Sequence, residues 1–108
     1  MKLIGRNKNL LQSLLLVKKA ARLVVKGTVQ GIFFRQFVKE HADNLKLKGF
    51  VRNLTSGDVE IIVEGEADAI SRLGGFVRKG PEHAQIRDVQ IVGRKWSGDF
   101  KDFKILRF

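Results

Sequence analysis

The stretch Lys48–Gly65, KGFVRNLTSGDVEIIVEG, decides the fold. Thr55-Ser-Gly-Asp58 is a run of turn formers: glycine accepts positive φ, and the serine and aspartate side chains can bond nearby backbone. After it, Val59, Ile61 and Val63 share one face while Glu60 and Glu64 point the other way, which is the two-residue period of a half-buried strand. Before it, KGFVRN (48–53) supplies a partner strand, so the whole stretch reads as a β-hairpin. Glu60 and Glu64 then read as a solvated outer face, not as an acid–base pair.

Helical patterns flank the hairpin on both sides. Phe34, Phe37, Val38, Ala42 and Leu45 recur at helical spacing and predict a helix over 35–46. Ile70, Leu73, Phe76 and Val77 predict a second over 67–79, closed by Gly80-Pro81 although Gly74 and Gly75 each cost about 1 kcal/mol relative to alanine. A first strand is expected around Arg22–Lys26, and later ones near 85–92 and 102–108, with WSGDFKD (96–102) as the loop between them. The order βαββαβ plus a last strand is an α+β arrangement. In a split βαβ unit the first two strands run parallel with the third inserted between them. Their carboxyl ends then reach the same edge of the sheet about 9–10 Å apart, so the segment after strand one should meet Asn53.

Composition narrows the chemistry. The chain has 108 residues, enough for one small domain, with 44% hydrophobic and 30% charged residues. With no cysteine, disulfides, thiolate zinc sites and cysteine nucleophiles are excluded. His41 and His83 lack metal-ligand spacing, so no metal and no cofactor is expected. The formal net charge of +10 favours anionic partners in general, and Lys2, Arg6, Lys8, Lys18 and Lys19 place half of it in residues 1–20. That segment reads as a basic extension, helical along Leu10, Leu11, Leu14 and Leu15 or frayed, ahead of a domain at 21–108. Its longest apolar run, Leu14–Val17, is far short of a membrane span, so membrane contact is limited to the surface. Trp96 is expected to cover an edge of the core, the alternative being that it lines the site.

The junction Gly27–Arg35, GTVQGIFFR, carries the chemical interest. Two glycines permit backbone conformations closed to other residues, and the segment leads into the positive end of a helix. Arg35 adds a planar cation suited to two phosphate oxygens. On these residues alone, the segment reads equally as a tight turn ending in a solvated arginine. It is neither a Walker sequence nor GxGxxG, which argues against a nucleotide. Asn53 is either a turn residue bonding its own backbone or a group able to hold a water.

GTVQGIFFR (27–35) and GFVRNLTSGDVEIIVEG (49–65) together resemble the two signatures of the acylphosphatases, in the right order and at the right separation. The resemblance covers about residues 21–108 and includes the Gly-Pro pair after the second helix. It implies a ferredoxin-like sandwich with both helices on one face of the sheet, and metal-independent hydrolysis of carboxyl–phosphate anhydrides. By the same resemblance, Arg35 and the N–H groups of Gln30, Gly31, Ile32, Phe33, Phe34 and Arg35 bind the phosphoryl group, and Asn53 orients the attacking water. The implied partners are a small acyl phosphate and inorganic phosphate, as product and competitor; a cytoplasmic monomer is expected. Ile32 stands where valine is more usual, and Phe33 bears on the mouth of the cradle. One of Phe33 and Phe34 should anchor the core while the other meets substrate. The alternatives are an RNA-binding module, which shares the βαββαβ order but needs exposed strand aromatics that this chain lacks, and a phosphate sensor without turnover.

Overall fold

Lys48–Asn53 and Val59–Glu66 pair as an antiparallel hairpin, with Val51 opposite Ile61 and Asn53 opposite Val59. Its turn closes through the Leu54 N–H to the Asp58 carbonyl at 2.8 Å and the Gly57 N–H to the Leu54 carbonyl at 3.1 Å. The computed structural model describes residues 17–107. The elements are β1 (Lys18–Thr28), α1 (Ile32–Asn44), β2 (Lys48–Asn53), β3 (Val59–Glu66), α2 (Ala67–Lys79), β4 (Gln85–Arg94) and β5 (Phe103–Ile105).

The sheet order is β4-β1-β3-β2-β5. β3 lies between β1 and β2 and is antiparallel to both, so those two run parallel, as the split crossover requires. β5 adds in parallel beside β2. Leu23, Val25, Val51, Ile61 and Val63 on one sheet face form a single core with Phe34, Val38 and Ala42 of α1 and Ile70, Leu73 and Val77 of α2. Both helices therefore cover the same face, the arrangement of a ferredoxin-like α+β fold.

Several boundaries differ from the sequence reading. β1 begins at Lys18, so Lys18–Ala20 belong to the sheet and pair with Glu66, Gly65 and Glu64. The leucine stripe at 10–15 lies outside the described residues. α1 starts directly after Gly31, three residues earlier than periodicity suggests, and stops at Asn44. It stops because Lys46 turns to φ 58° while the Leu47 N–H closes back on the Ala42 carbonyl at 2.8 Å. β5 is only three residues long.

The outer face of the sheet is not bare. Glu60 and Glu64 are only 6% and 4% exposed, contrary to a solvated face. Arg22 Nε and Arg52 Nε donate to the two oxygens of Glu60 at 2.5 and 2.7 Å. Glu64 accepts from the Ser97 N–H, the Ser97 hydroxyl and the Gly98 N–H at 2.7–2.9 Å. The loop after β4 thus crosses this face. Phe100 packs edge-on against Phe50, and Trp96 lies here under the Lys18 ammonium, 41% exposed and not in the core.

Burial pushes both carboxyls up, but the arginines around Glu60 and the Ser97–Gly98 donors around Glu64 outweigh it and hold each below the ordinary 4.5. Folding therefore makes both stronger acids. Their stabilising effect is present above the unfolded value and is lost as pH falls through the folded ones. The Tm gap between the wild type and Glu60→Gln should accordingly narrow as melts are taken from about pH 6 to about pH 3. A gap independent of pH would show that the carboxylate charge contributes nothing.

The β1–β4 pairing shifts register between Lys26 and Gly27. Gly27 sits at φ 141°, where a Cβ would overlap the Gln85 carbonyl oxygen. Gly27→Ala is expected to destabilise by at least about 2 kcal/mol in urea unfolding. Gly75→Ala, where an added Cβ on exposed α2 meets nothing, should instead stabilise by about 0.5–1 kcal/mol.

Candidate active site

The chain leaves β1 at Thr28, buries Val29 in the core and enters α1 through Gly31. Gly31 is the residue before the helix, with φ 129° and ψ 162°, a conformation that side chains rarely adopt. It offers no capping side chain, and the first turn of α1 carries no acid. The first N–H groups of a helix have no intrahelical acceptor. Here they also lack the side-chain acceptor that serine, threonine or aspartate would provide. The positive end of α1 is left open to an external anion.

Two ties bring this helix end to the end of β2. Gln30 Nε2 donates to the Leu54 carbonyl at 2.6 Å and to the Asp58 carbonyl at 3.1 Å, fixing the β1–α1 loop against the hairpin turn. The Lys26–Asp58 ion pair at 3.1 Å reinforces the same contact. On the other side, Arg35 Nη1 donates to the Leu106 carbonyl at 3.1 Å, and the Leu106 N–H donates to the Val51 carbonyl at 2.9 Å. Arg35 Nε also reaches back to the Gly31 carbonyl at 3.4 Å. Asn53 lies between the two tied positions, Val51 and Leu54. Its Oδ1 is buried and has no hydrogen-bond partner among the described residues. A buried acceptor in that state costs about 1–3 kcal/mol, so its retention calls for an explanation.

The residues singled out by sequence therefore fall at one sheet edge: Gln30 and Gly31 in the loop, Ile32 to Arg35 in the first turn of α1, and Asn53 at the end of β2. Phe34 is 4% exposed and is the one of the pair that anchors the core, whereas Phe33 is 84% exposed. Two contributors escape the sequence reading. The Gln30 side chain acts as a clamp, and the main-chain carbonyl of Leu106 aims Arg35. A glutamine among turn formers could have hinted at the first, but a carbonyl is common to every residue and leaves no signal. His41 stacks on Phe76 with ring centroids 3.9 Å apart and meets the edge of Phe37 at 4.6 Å, which is helix packing. His83 lies in the exposed α2–β4 loop. No helix among the described residues is long and apolar enough to cross a membrane.

Comparison with known proteins places this chain in a lineage. The acylphosphatase family profile matches residues 21–105. The acylphosphatase of Pyrobaculum aerophilum is 42% identical over 87 residues, spanning 80% of this chain and 92% of that protein. The crystal structure of an acylphosphatase from Bacillus subtilis superposes with a TM-score of 0.78 at 33% identity, over 82% of this chain and 98% of its own. A Coxiella burnetii acylphosphatase structure gives 0.77 at 36% identity, over 82% and 93%. A profile spanning most of the described residues, a relative at this identity and solved structures of the same architecture lead to one conclusion: the chain belongs to the acylphosphatase family of hydrolases.

Proposed function

We propose that this chain hydrolyses acyl phosphates at the edge formed by Gly31–Arg35 and Asn53, with the following division of labour. The N–H groups of Gln30 to Phe34 and the Arg35 guanidinium receive the phosphoryl dianion, the Arg35 N–H being bonded to the Gly31 carbonyl at 3.4 Å. Asn53 Oδ1 accepts a hydrogen bond from the attacking water and points its lone pair at phosphorus. Water attacks as the bond from phosphorus to the acyl oxygen breaks, giving R–COO⁻ and H₂PO₄⁻ from R–CO–OPO₃²⁻ and H₂O. One water proton passes to a phosphate oxygen.

The observation that carries this reading is the buried, unpartnered Asn53 oxygen beside an uncapped helix terminus. One group lacks a donor and the other lacks an acceptor, and a water next to a phosphate would satisfy both. The reaction makes modest demands on acid–base chemistry because a carboxylate leaves readily. Positioning and charge stabilisation can supply most of the acceleration.

The roles predict separable defects. Arg35→Gln should lower kcat/KM for benzoyl phosphate by about 10²–10³ and raise the inhibition constant of inorganic phosphate. Asn53→Ala should lower kcat by a similar factor of about 10²–10³ and leave that inhibition constant unchanged. Near-normal turnover by either folded variant would overturn the assignment.

A further inference from the structure

Resting on the reading just given, the geometry points to a site for the acyl half of the substrate. It is a cleft of about 590 Å³ between α1 and the α2–β4 loop, suited to a bulky, apolar and uncharged acyl group. The cleft is bordered by Phe33, Phe37 and Glu40 of α1 and by Pro81, Glu82 and Ala84 of the loop, and it shares Gln30 and Phe33 with the phosphate-binding segment.

Three observations converge on this occupant. First, α1 presents two adjoining stripes, with Gln36 and Glu40 at their border. Arg35 and Lys39, one turn apart, reach the Leu106 and Phe103 carbonyls beside β5. Phe33, Gln36, Phe37 and Glu40, at helical spacing, line the cleft. A phosphate held at the helix tip lies at the meeting of the two.

Second, the sheet order puts β2, with Asn53, on one side of β1 and β4 on the other. Phosphoryl transfer places the attacking and leaving oxygens roughly in line. Water delivered from the β2 side therefore sends the leaving carboxylate towards the β4 side, where the cleft opens. Third, Phe33 is 84% exposed at the shared border, an apolar ring with no protein cover. Pockets of about 300–1,000 Å³ with apolar walls and few polar groups are the usual form of a small-molecule site. The lining carries Glu40 and Glu82 against one basic side chain, His83, with no lysine or arginine to pair with an acyl chain bearing its own carboxylate.

The test compares kcat/KM for benzoyl phosphate and acetyl phosphate in the wild type, in Phe33→Ala and in Ala84→Trp, which fills the cleft. The benzoyl-to-acetyl ratio should fall by about fivefold or more in each folded variant, the scale of one or two buried CH₂ groups. Phe33 is exposed enough that its truncation tests the idea even if Ala84→Trp does not fold. A ratio that stays within about twofold of wild type in the folded variants would overturn the cleft assignment.

A binding measurement separates the two levels of the reading. Benzylphosphonate titrated against the wild type should shift the amide resonances of Phe37 and Ala84, and methylphosphonate should not. Equal or absent shifts would reject the cleft whatever the turnover. Failure to hydrolyse either acyl phosphate, with the benzylphosphonate shifts intact, would reject the hydrolytic reading alone.

Discussion

The insertion of β3 between β1 and β2 is the constraint from which the rest follows. Because β3 is antiparallel to both, the outer two strands run parallel and their carboxyl ends share one edge. Everything chemically notable sits there: the open start of α1, Arg35, and Asn53. The Gln30 side chain then turns proximity into fixed geometry. By donating to the carbonyls of residues 54 and 58, it holds the β1–α1 loop against the hairpin turn from a distance of 24 residues in sequence. Without that clamp the topology would still bring the two loops near one another, but not hold them in register.

The site also draws on parts of the chain that take no part in the chemistry. β5 is a strand of three residues, yet the carbonyl that follows it aims Arg35. Lys39 makes the equivalent contact one turn later, to the Phe103 carbonyl at 2.8 Å. The last strand therefore holds one side of α1 by main-chain acceptors, while on the other side His41 packs on Phe76 of α2 and Phe33, at the helix start, remains uncovered. On the outer sheet face, the paired arginines on Glu60 and the Ser97–Gly98 donors on Glu64 allow two carboxylates to be buried with their hydrogen-bonding capacity met. Such sites break when one partner is removed, more than they strengthen the fold when complete.

Much of this was legible in the sequence where pattern and punctuation agree. β2 and α2 fall at 48–53 and 67–79 as expected, because apolar periodicity ends at strong turn formers in each case. α1 was misplaced at both ends for local reasons. Ile32-Phe33-Phe34 has no helical period of its own, and a lysine, not a glycine, takes the positive φ after the helix. Alternation in β3 correctly assigned Glu60 and Glu64 to the outer face but could not say what covers that face. For Glu60 the answer lay in arginines of the two neighbouring strands, and for Glu64 in a loop more than 30 residues away. Arg35 and Asn53 were legible as candidates because glycines and turn residues mark their positions within segments that resemble the family signatures, whereas the Gln30 clamp depends on tertiary contacts that no local pattern encodes.

The uncapped start of α1 has a thermodynamic corollary. With Gly31 as its N-cap, the helix gives up a few tenths of a kcal/mol that serine or aspartate would supply. An anion seated on those N–H groups would restore that and more, since a ligand confined to the native state stabilises it by about 2.7 kcal/mol at a hundred times its dissociation constant. Resistance to heat would then vary with the phosphate content of the medium, so two preparations of the same chain could differ in apparent robustness through buffer composition alone.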